Sequence, residues 1–337
     1  MQSLKDYSLK HLNTFGIDVK AKYFTSISSA EELIQALASE ETKNEKKFIL
    51  GGGSNVLFTE NYDGLIIHNQ IPGINTEEIS DSEIIVTAGA GVIWQDLVSF
   101  CIEKNYGGIE NLSLIPGTVG AAPIQNIGAY GQELKEVFFS LKAVMMDTYN
   151  EVVFLNDDCK FGYRNSVFKN ELKNKLVITS VSLKLKKDPM LSLDYGNVRS
   201  EVEKLNLRKI TIKDVGNVIS QIRRNKLPDP QQLGNAGSFF KNPEITLHQF
   251  ELLRSTFPEM PAYQSGTKIK IPAGWLIEKA GLKGFRVGDA GTHSSQALVI
   301  VNYGNASGKE LVSFADRIRT EVYNKFDIWL EAEVNII

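Results

Sequence analysis

The sequence is short of cysteine, of uncompensated positive charge and of long apolar runs, and each shortage closes off a class of protein. Two cysteines, Cys101 and Cys159, stand in 337 residues, in segments that read as a helix and a strand edge. They supply neither a disulfide framework nor a paired metal-ligand spacing, and a reducing cytoplasm suits them best. The four histidines, His11, His68, His248 and His293, are scattered too widely for a short metal motif, so no metal is expected. Lysine and arginine (37) are outnumbered by aspartate and glutamate (40), for a net charge of −3, which lacks the basic excess of a nucleic-acid binder. No apolar stretch reaches the roughly 18 residues of a membrane span. The first residues, Met1-Gln2-Ser3-Leu4-Lys5-Asp6, carry no basic start followed by an apolar run, so neither export nor membrane insertion is expected.

The remaining composition, 42% apolar and 23% charged, is that of a soluble globular protein, and the length implies about two to three domains. Ser29-Ala30-Glu31-Glu32 opens a helix over residues 30–39 as a capping box, with Leu33, Ile34, Leu37 and Ala38 at helical spacing. Phe48-Ile49-Leu50 and Leu65-Ile66-Ile67 read as short strands, the second after an Asp63-Gly64 turn. A strand over 84–89, a helix over 92–104 and strands over 141–145, 152–155 and 176–185 follow. In the last of these, Val177, Thr179, Val181, Leu183 and Leu185 alternate with a more polar face, which implies a largely antiparallel sheet. A helix beginning at Thr211-Ile212 must stop before Leu227-Pro228-Asp229-Pro230, where a domain boundary is expected. Beyond it come helices near 247–254 and before Gly281, a strand over 297–302 and a long helix capped by Ser307 and Glu310. The alternating run 328–337 reads as an amphipathic strand.

Three stretches carry the candidate chemistry. Gly51-Gly52-Gly53-Ser54-Asn55 follows a strand and can present main-chain N–H groups to a phosphate, or simply turn tightly; it is neither a Walker loop nor a GxGxxG fingerprint. Residues 115–131 hold four glycines and two prolines among small residues, too irregular for a regular element and suited to wrapping a long ligand such as a dinucleotide. Gly234-Asn235-Ala236-Gly237-Ser238-Phe239-Phe240-Lys241-Asn242-Pro243 reads as an unusual loop in which Ser238 is an acid, a nucleophile or a turn residue. Arg164, in Phe161-Gly162-Tyr163-Arg164-Asn165-Ser166, is able to hold a carboxylate or to form a surface pair. Glu333 on the last strand faces either solvent or a polar pocket.

Taken together, Asn13-Thr14-Phe15-Gly16, the stretch 51–55, the stretch 115–131, Tyr163-Arg164-Asn165-Ser166, the stretch 234–243, Ala273-Gly274-Trp275-Leu276-Ile277 and Leu330-Glu331-Ala332-Glu333-Val334 closely resemble the bacterial UDP-N-acetylenolpyruvoylglucosamine reductases. The likeness spans nearly the whole chain. It implies an α+β protein with an FAD-binding fold of the vanillyl-alcohol-oxidase type, in two α+β subdomains (1–70 and 71–227), plus a third, α/β substrate-binding domain (228–327). The terminal strand 328–337 is expected to return to the second subdomain. Leu191-Ser192-Leu193-Asp194-Tyr195-Gly196 resembles the tyrosine-bearing insertion of the longer, first type of these enzymes.

By the same resemblance FAD is held non-covalently by Gly51, Gly52, Gly53, Ser54, Asn55, Pro116, Gly117, Thr118, Gly120, Ala121, Gln125, Asn126, Gly128, Ala129 and Tyr130. Non-covalent binding is expected because Ser54 stands where covalent flavoproteins of the wider fold often carry histidine. Tyr195, Lys226, Asn242, Tyr263, Lys270 and Gln296 match positions that hold the nucleotide-sugar. Ser238 is the expected proton donor, with Arg164 and Glu333 stabilising the intermediate, Glu333 as a hydrogen-bonding or protonated acid. The implied reaction uses NADPH and UDP-N-acetylglucosamine enolpyruvate in a cytoplasmic, monomeric enzyme of peptidoglycan precursor synthesis. Some relatives carry an arginine at the position of Asn335, whose substrate contact is then lost or replaced here. Another FAD oxidoreductase of the same wide fold, or a non-catalytic nucleotide-sugar or flavin binder, are the competing readings.

Overall fold

The alternation over Leu176–Lys186 becomes the middle strand of a five-stranded antiparallel sheet, in the order Glu151–Leu155, Phe138–Met145, Leu176–Lys186, Glu83–Gly89, Ile74–Glu78. Val177, Val181, Leu183 and Leu185 are buried, as the alternation requires. The computed structural model describes residues 3–337. They fall into two units, the first made of residues up to Tyr7 with Ala21–Gly52 and Tyr62–Arg223, the second of Ser8–Lys20, Gly53–Asn61 and Arg224–Ile337.

In the first unit, a second sheet sets Leu4–Ser8, Lys20–Ile27, Tyr62–Asn69 and Lys47–Leu50 side by side, the last three parallel. Asp63 and Gly64, read from the sequence as a turn, lie inside the strand Tyr62–Asn69. Gly64 is needed there because a Cβ would strike the carbonyl of Lys46. Helix α1 (Ala30–Leu37) buries Leu33, Ala36 and Leu37 on this sheet. Ser29 caps it by accepting from the Glu32 N–H, but the Glu32 carboxylate reaches back to Ser28 rather than Ser29, so the expected box closes one residue early. Helix α2 (Trp94–Glu103) lays Trp94, Leu97, Val98 and Cys101 on the five-stranded sheet. Full burial of side chains like these is worth roughly 1.5–3 kcal/mol each. Helices α3 (Val198–Glu203) and α4 (Ile212–Lys226) form a satellite core from Val198, Val202, Val215, Val218, Ile219 and Ile222. The proline pair after Leu227 ends α4 as expected.

The second unit has a four-stranded antiparallel sheet, in the order Gly234–Ser238, Val299–Asn302, Ala290–Thr292, Arg286–Val287. A three-stranded sheet sets Lys268–Lys270 between Glu244–Ile245 and Tyr263–Ser265. Helices α5 (Leu247–Thr256), α6 (Ala273–Lys279) and α7 (Gly308–Phe326) complete it. Both halves of the Ser307–Glu310 capping box are made. Leu311, Phe314, Ala315, Ile318, Val322 and Phe326 form the buried stripe of α7. Phe326 closes on Phe257 and Trp275, with ring centroids at 5.0 and 5.8 Å.

The terminal run differs from its expected form. Only Asn335–Ile336 is strand, and it pairs in parallel with Val56–Leu57 in the second unit, not with residues 71–227. Ile328, Leu330 and Val334 are buried, so the alternation reports which side chains face inward rather than a continuous ladder.

Candidate active site

In the first unit the two glycine-rich stretches meet. A Cβ on Gly51 would stand 2.5 Å from the Thr118 hydroxyl, and one on Gly52 would stand 3.1 Å from Gly117 Cα, so only glycine permits the approach. The stretch 115–131 is irregular as expected: short 3-10 turns at Val119–Ala121 and Pro123–Gln125 carry it. Its main chain is tied to the segment before α2, since Val119 and Gly120 donate to the carbonyls of Val92 and Ala90. Asn126, with φ +44°, spends its side chain inside the protein, on Glu133 at 3.0 Å, the Gly162 carbonyl at 3.1 Å and the Lys135 N–H at 3.0 Å. Any contact it makes to a cofactor therefore runs through its main chain.

Those bonds also place Arg164. Gly162 and Asn165 exchange two main-chain hydrogen bonds, of 3.0 and 3.1 Å, leaving Tyr163 and Arg164 at the tip of a tight turn where Arg164 has φ +50°. Ser166, fully buried, donates to the Ile124 carbonyl at 2.7 Å and caps the next 3-10 turn. The Arg164 Nη1 lies 3.4 Å from where a Gly128 Cβ would stand, so the glycine gives the guanidinium room. Leu114, Asn126, Tyr130 and Arg164 all hold left-handed φ values of 44–60°. Strain of this kind costs about 1–3 kcal/mol per residue and concentrates at functional sites.

Sequence reasoning missed Arg223, on the last turns of α4. Its Nε donates to the Leu114 carbonyl at 3.2 Å, and it lies close enough to Tyr130 and Arg164 for their charges to interact. Burial holds its guanidinium below the usual arginine range; Tyr130 opposes that shift and the like charge of Arg164 adds to it. Burial in turn pushes the Tyr130 phenol up, against the pull of Arg223. The Tyr195 ring meets Tyr130 edge-on at 6.1 Å. A lone arginine on a helix gives no sequence signal; only packing gathers it here.

In the second unit, Gly234–Ser238 is a strand and not the loop expected. It pairs with Val299–Asn302 through a bulge: Asn235 faces Val301 and Ser238 faces Val299, so three steps on one strand match two on the other. Gly237, with φ +70°, is the bulged residue's neighbour, and its N–H is held by the Asn235 side chain at 2.9 Å. A bulge turns the next side chain out of register, and here that side chain is Ser238. Phe239 and Phe240, both fully buried, pin the strand just beyond it.

The structure brings Ser238 and Glu333 together along the main chain. The Glu333 N–H donates to the Phe239 carbonyl at 2.8 Å, the Lys241 N–H to the Glu331 carbonyl at 2.9 Å, and Phe240 bridges Ala332. The Asn55 amide supports the Glu333 carbonyl at 3.3 Å. Asn335 gives both its main-chain and side-chain N–H to the Asn55 carbonyl. Its role here is to anchor the 53–55 turn. The main-chain N–H groups of Gly52, Gly53 and Ser54 donate to no acceptor among the described residues, and Gly53 is buried. A turn with open main-chain donors fits an anionic group such as a pyrophosphate.

Of the residues expected to hold the nucleotide-sugar, Tyr263 and Lys270 are direct cross-strand partners. Lys270 also lies 3.4 Å from Glu244, whose carboxyl is held below its usual range by Ser265 first and by Lys270 after burial opposes it. Asn242 uses Oδ1 to accept from the Ala273 N–H at the start of α6. The Gln296 Oε1 lies 3.3 Å from where a Gly274 Cβ would stand, on the same turn of α6. Lys226 is exposed at the end of α4.

Known proteins match both halves of this arrangement. Residues 21–148 match an FAD binding domain, and residues 229–337 match the C-terminal domain of UDP-N-acetylenolpyruvoylglucosamine reductase. The chain is 50% identical to the UDP-N-acetylenolpyruvoylglucosamine reductase of Flavobacterium johnsoniae over 339 residues, covering 100% of each. It is 44% identical to that of Bacteroides fragilis over 332 residues, 98% of this chain and 99% of the relative. The crystal structure of the Thermus caldophilus enzyme aligns with a TM-score of 0.69 at 25% identity, over 100% of this chain and 99% of that one. The FAD-binding fold expected from the sequence is thus the fold found. The chain belongs to the UDP-N-acetylenolpyruvoylglucosamine reductases, FAD-dependent oxidoreductases of peptidoglycan precursor synthesis.

Proposed function

We propose that the chain reduces UDP-N-acetylglucosamine enolpyruvate to UDP-N-acetylmuramate at the expense of NADPH, with Ser238 as proton donor. The observation that carries this is the pairing of residues 239–241 with 331–333, which sets Glu333 beside a serine turned out by a bulge. FAD, when bound, carries hydride from NADPH to the methylene carbon of the enolpyruvyl ether. The glycine-rich stretches 51–55 and 115–131 hold it non-covalently through main-chain donors.

As hydride arrives, negative charge builds on the enol and carboxylate. Arg164 meets that charge with a guanidinium carried at the tip of its turn, and Glu333 stabilises it as a hydrogen-bonding or protonated acid. Ser238 then gives its hydroxyl proton to the carbon next to the carboxylate, completing addition of hydride and proton across the double bond. A serine is a weak acid, so its contribution is placement in line with a strongly basic carbon; general-acid help of this kind is worth about 10²–10⁴ in rate. Tyr195, Lys226, Asn242, Tyr263, Lys270 and Gln296 hold the nucleotide-sugar, the lysines against its diphosphate. In this reading residues 1–70 and 71–227 serve FAD and 228–327 the substrate, and the enzyme works in the cytoplasm as a monomer.

The test is a stopped-flow record of flavin absorbance. NADPH is expected to bleach the bound flavin, and the enolpyruvyl nucleotide-sugar to restore it. Bleaching without restoration by that substrate defeats the proposal, and a colourless purified protein defeats any flavoenzyme reading.

A further inference from the structure

Asn111 stands in the 3-10 turn Glu110–Leu112 with 1% of its surface exposed. Its Nδ2 donates both protons, to the carbonyl of Tyr130 at 2.8 Å and to that of Ser192 at 2.9 Å, while its Oδ1 is buried with no donor among the described residues. The two acceptors belong to different segments. Tyr130 lies at the end of the glycine-rich stretch 115–131, and Ser192 lies in the segment 191–196 that carries Tyr195.

The amide nitrogen is fully used while its oxygen stays unmet. An apolar side chain of the same size would leave both carbonyls without this donor. What the amide adds is geometric: one nitrogen fixes the separation of two carbonyls in two segments. Neighbouring contacts make that separation matter. A Cβ on Gly131, with φ +82°, would stand 3.3 Å from Tyr195 Cβ and 3.8 Å from the Ser192 hydroxyl, so the insertion rests directly on the end of the glycine-rich stretch. The Tyr130 and Tyr195 rings meet edge-on at 6.1 Å. Leu191 and Leu193 pack with Tyr130 on the core of α3 and α4. Upstream, Asn105 Nδ2 holds the Lys187 carbonyl at 2.9 Å. The main chain of the insertion is thus held from beneath, while Tyr195 itself stays 58% exposed.

We infer that Asn111 is a positioning residue: it fixes Tyr195 against Tyr130, so that substrate holding by Tyr195 is tied to the backbone of the cofactor-binding stretch. This rests on the role proposed above for Tyr195 in binding the nucleotide-sugar. Asn111→Asp keeps the shape but turns a carboxylate oxygen toward two carbonyls. In that variant KM for the enolpyruvyl nucleotide-sugar rises about tenfold, while kcat and flavin content stay within about twofold, the split expected when binding alone is lost. Tyr195→Ala also raises KM, and adding Asn111→Asp to it raises KM no further, because contributions through one shared group are not additive.

An unchanged KM in Asn111→Asp beside a raised KM in Tyr195→Ala overturns the positioning role and leaves the Tyr195 reading intact. An unchanged KM in Tyr195→Ala overturns both. Multiplying effects in the double variant overturn the coupling and mark Asn111 as merely structural. If Asn111→Asp fails to retain flavin, Asn111→Ser, which removes the donors without adding charge, serves for the same comparison.

Discussion

Residues 115–131 and residues 234–243 are built from similar material, glycine, asparagine and small side chains punctuated by proline, yet they take opposite forms. The first is mostly irregular, in 3-10 turns with a two-residue strand at Gly128–Ala129; the second begins with a strand, Gly234–Ser238, in a four-stranded sheet. Pro116 and Pro123 remove main-chain donors that a ladder needs, and those of Val119 and Gly120 go to the carbonyls of Val92 and Ala90 rather than to a neighbouring strand. The second segment finds a partner, Val299–Asn302, and a Cβ on Gly234 would sit 2.5 Å from the Phe15 carbonyl, so its glycine lets the turn at residues 14–15 press against the strand. Glycine richness therefore marks where backbones approach, and the available partner decides whether the result is a loop or a strand. In the proposed reading the loop shapes a cofactor site and the strand presents Ser238 as the proton donor.

That division predicts different kinds of damage. Ser238→Ala, which touches only the reactive side chain, is expected to keep FAD and its reduction by NADPH while slowing reoxidation by the enolpyruvyl substrate about 10²–10⁴-fold. Stopped-flow reoxidation at full substrate checks this, and normal turnover sinks the assigned role. Next in size, Gly120→Ala forces a Cβ to 2.6 Å from that of Ala90. It is expected to cost about 1–3 kcal/mol of stability and to weaken FAD retention, read from denaturant midpoints and flavin content.

Gly237→Ala meets open space but must hold φ +70°. Its expected cost is about 1–2 kcal/mol, with FAD retained and reoxidation slowed because the bulge that aims Ser238 is strained. Equal loss of flavin in both glycine variants would erase the distinction between the segments.

The smallest effect concerns His68, in the strand beside Gly51. Burial holds its pKa below the ordinary 6.5, partly offset by a hydrogen bond to the Gly51 main chain. The unfolded chain then takes up a proton at a pH where the folded one does not. Stability from this group is complete above pH 6.5 and falls as the pH drops below it. His68→Gln is expected to flatten the thermal-midpoint profile slightly in that range, and an unchanged slope would remove His68 from the account.

Much of the frame was legible because it is local. Helices α1, α2, α4 and α7 follow from apolar side chains every three to four residues and from caps such as Ser307 with Glu310, which need no distant partner. The antiparallel sheet was legible from the alternation over Leu176–Lys186. Asp63-Gly64 misled because a glycine inside a strand looks like a turn unless the carbonyl of Lys46 crossing it is known. The terminal run misled in another way, since alternation records burial whether or not a ladder forms.

The sequence by itself determined the helices, the main sheet, the glycine-rich stretches and, through its resemblance, the family and the candidate residues Arg164, Ser238 and Glu333. Tertiary structure alone decided that Gly234–Ser238 is a bulged strand, that Glu333 lies beside it, that Arg223 joins Tyr130 and Arg164, and that Asn111 ties two segments together. The physical reason is the range of the interaction. Side-chain periodicity and capping act within a few residues and leave a pattern in the chain, whereas a main-chain bond from residue 333 to residue 239 leaves none until the backbone has folded.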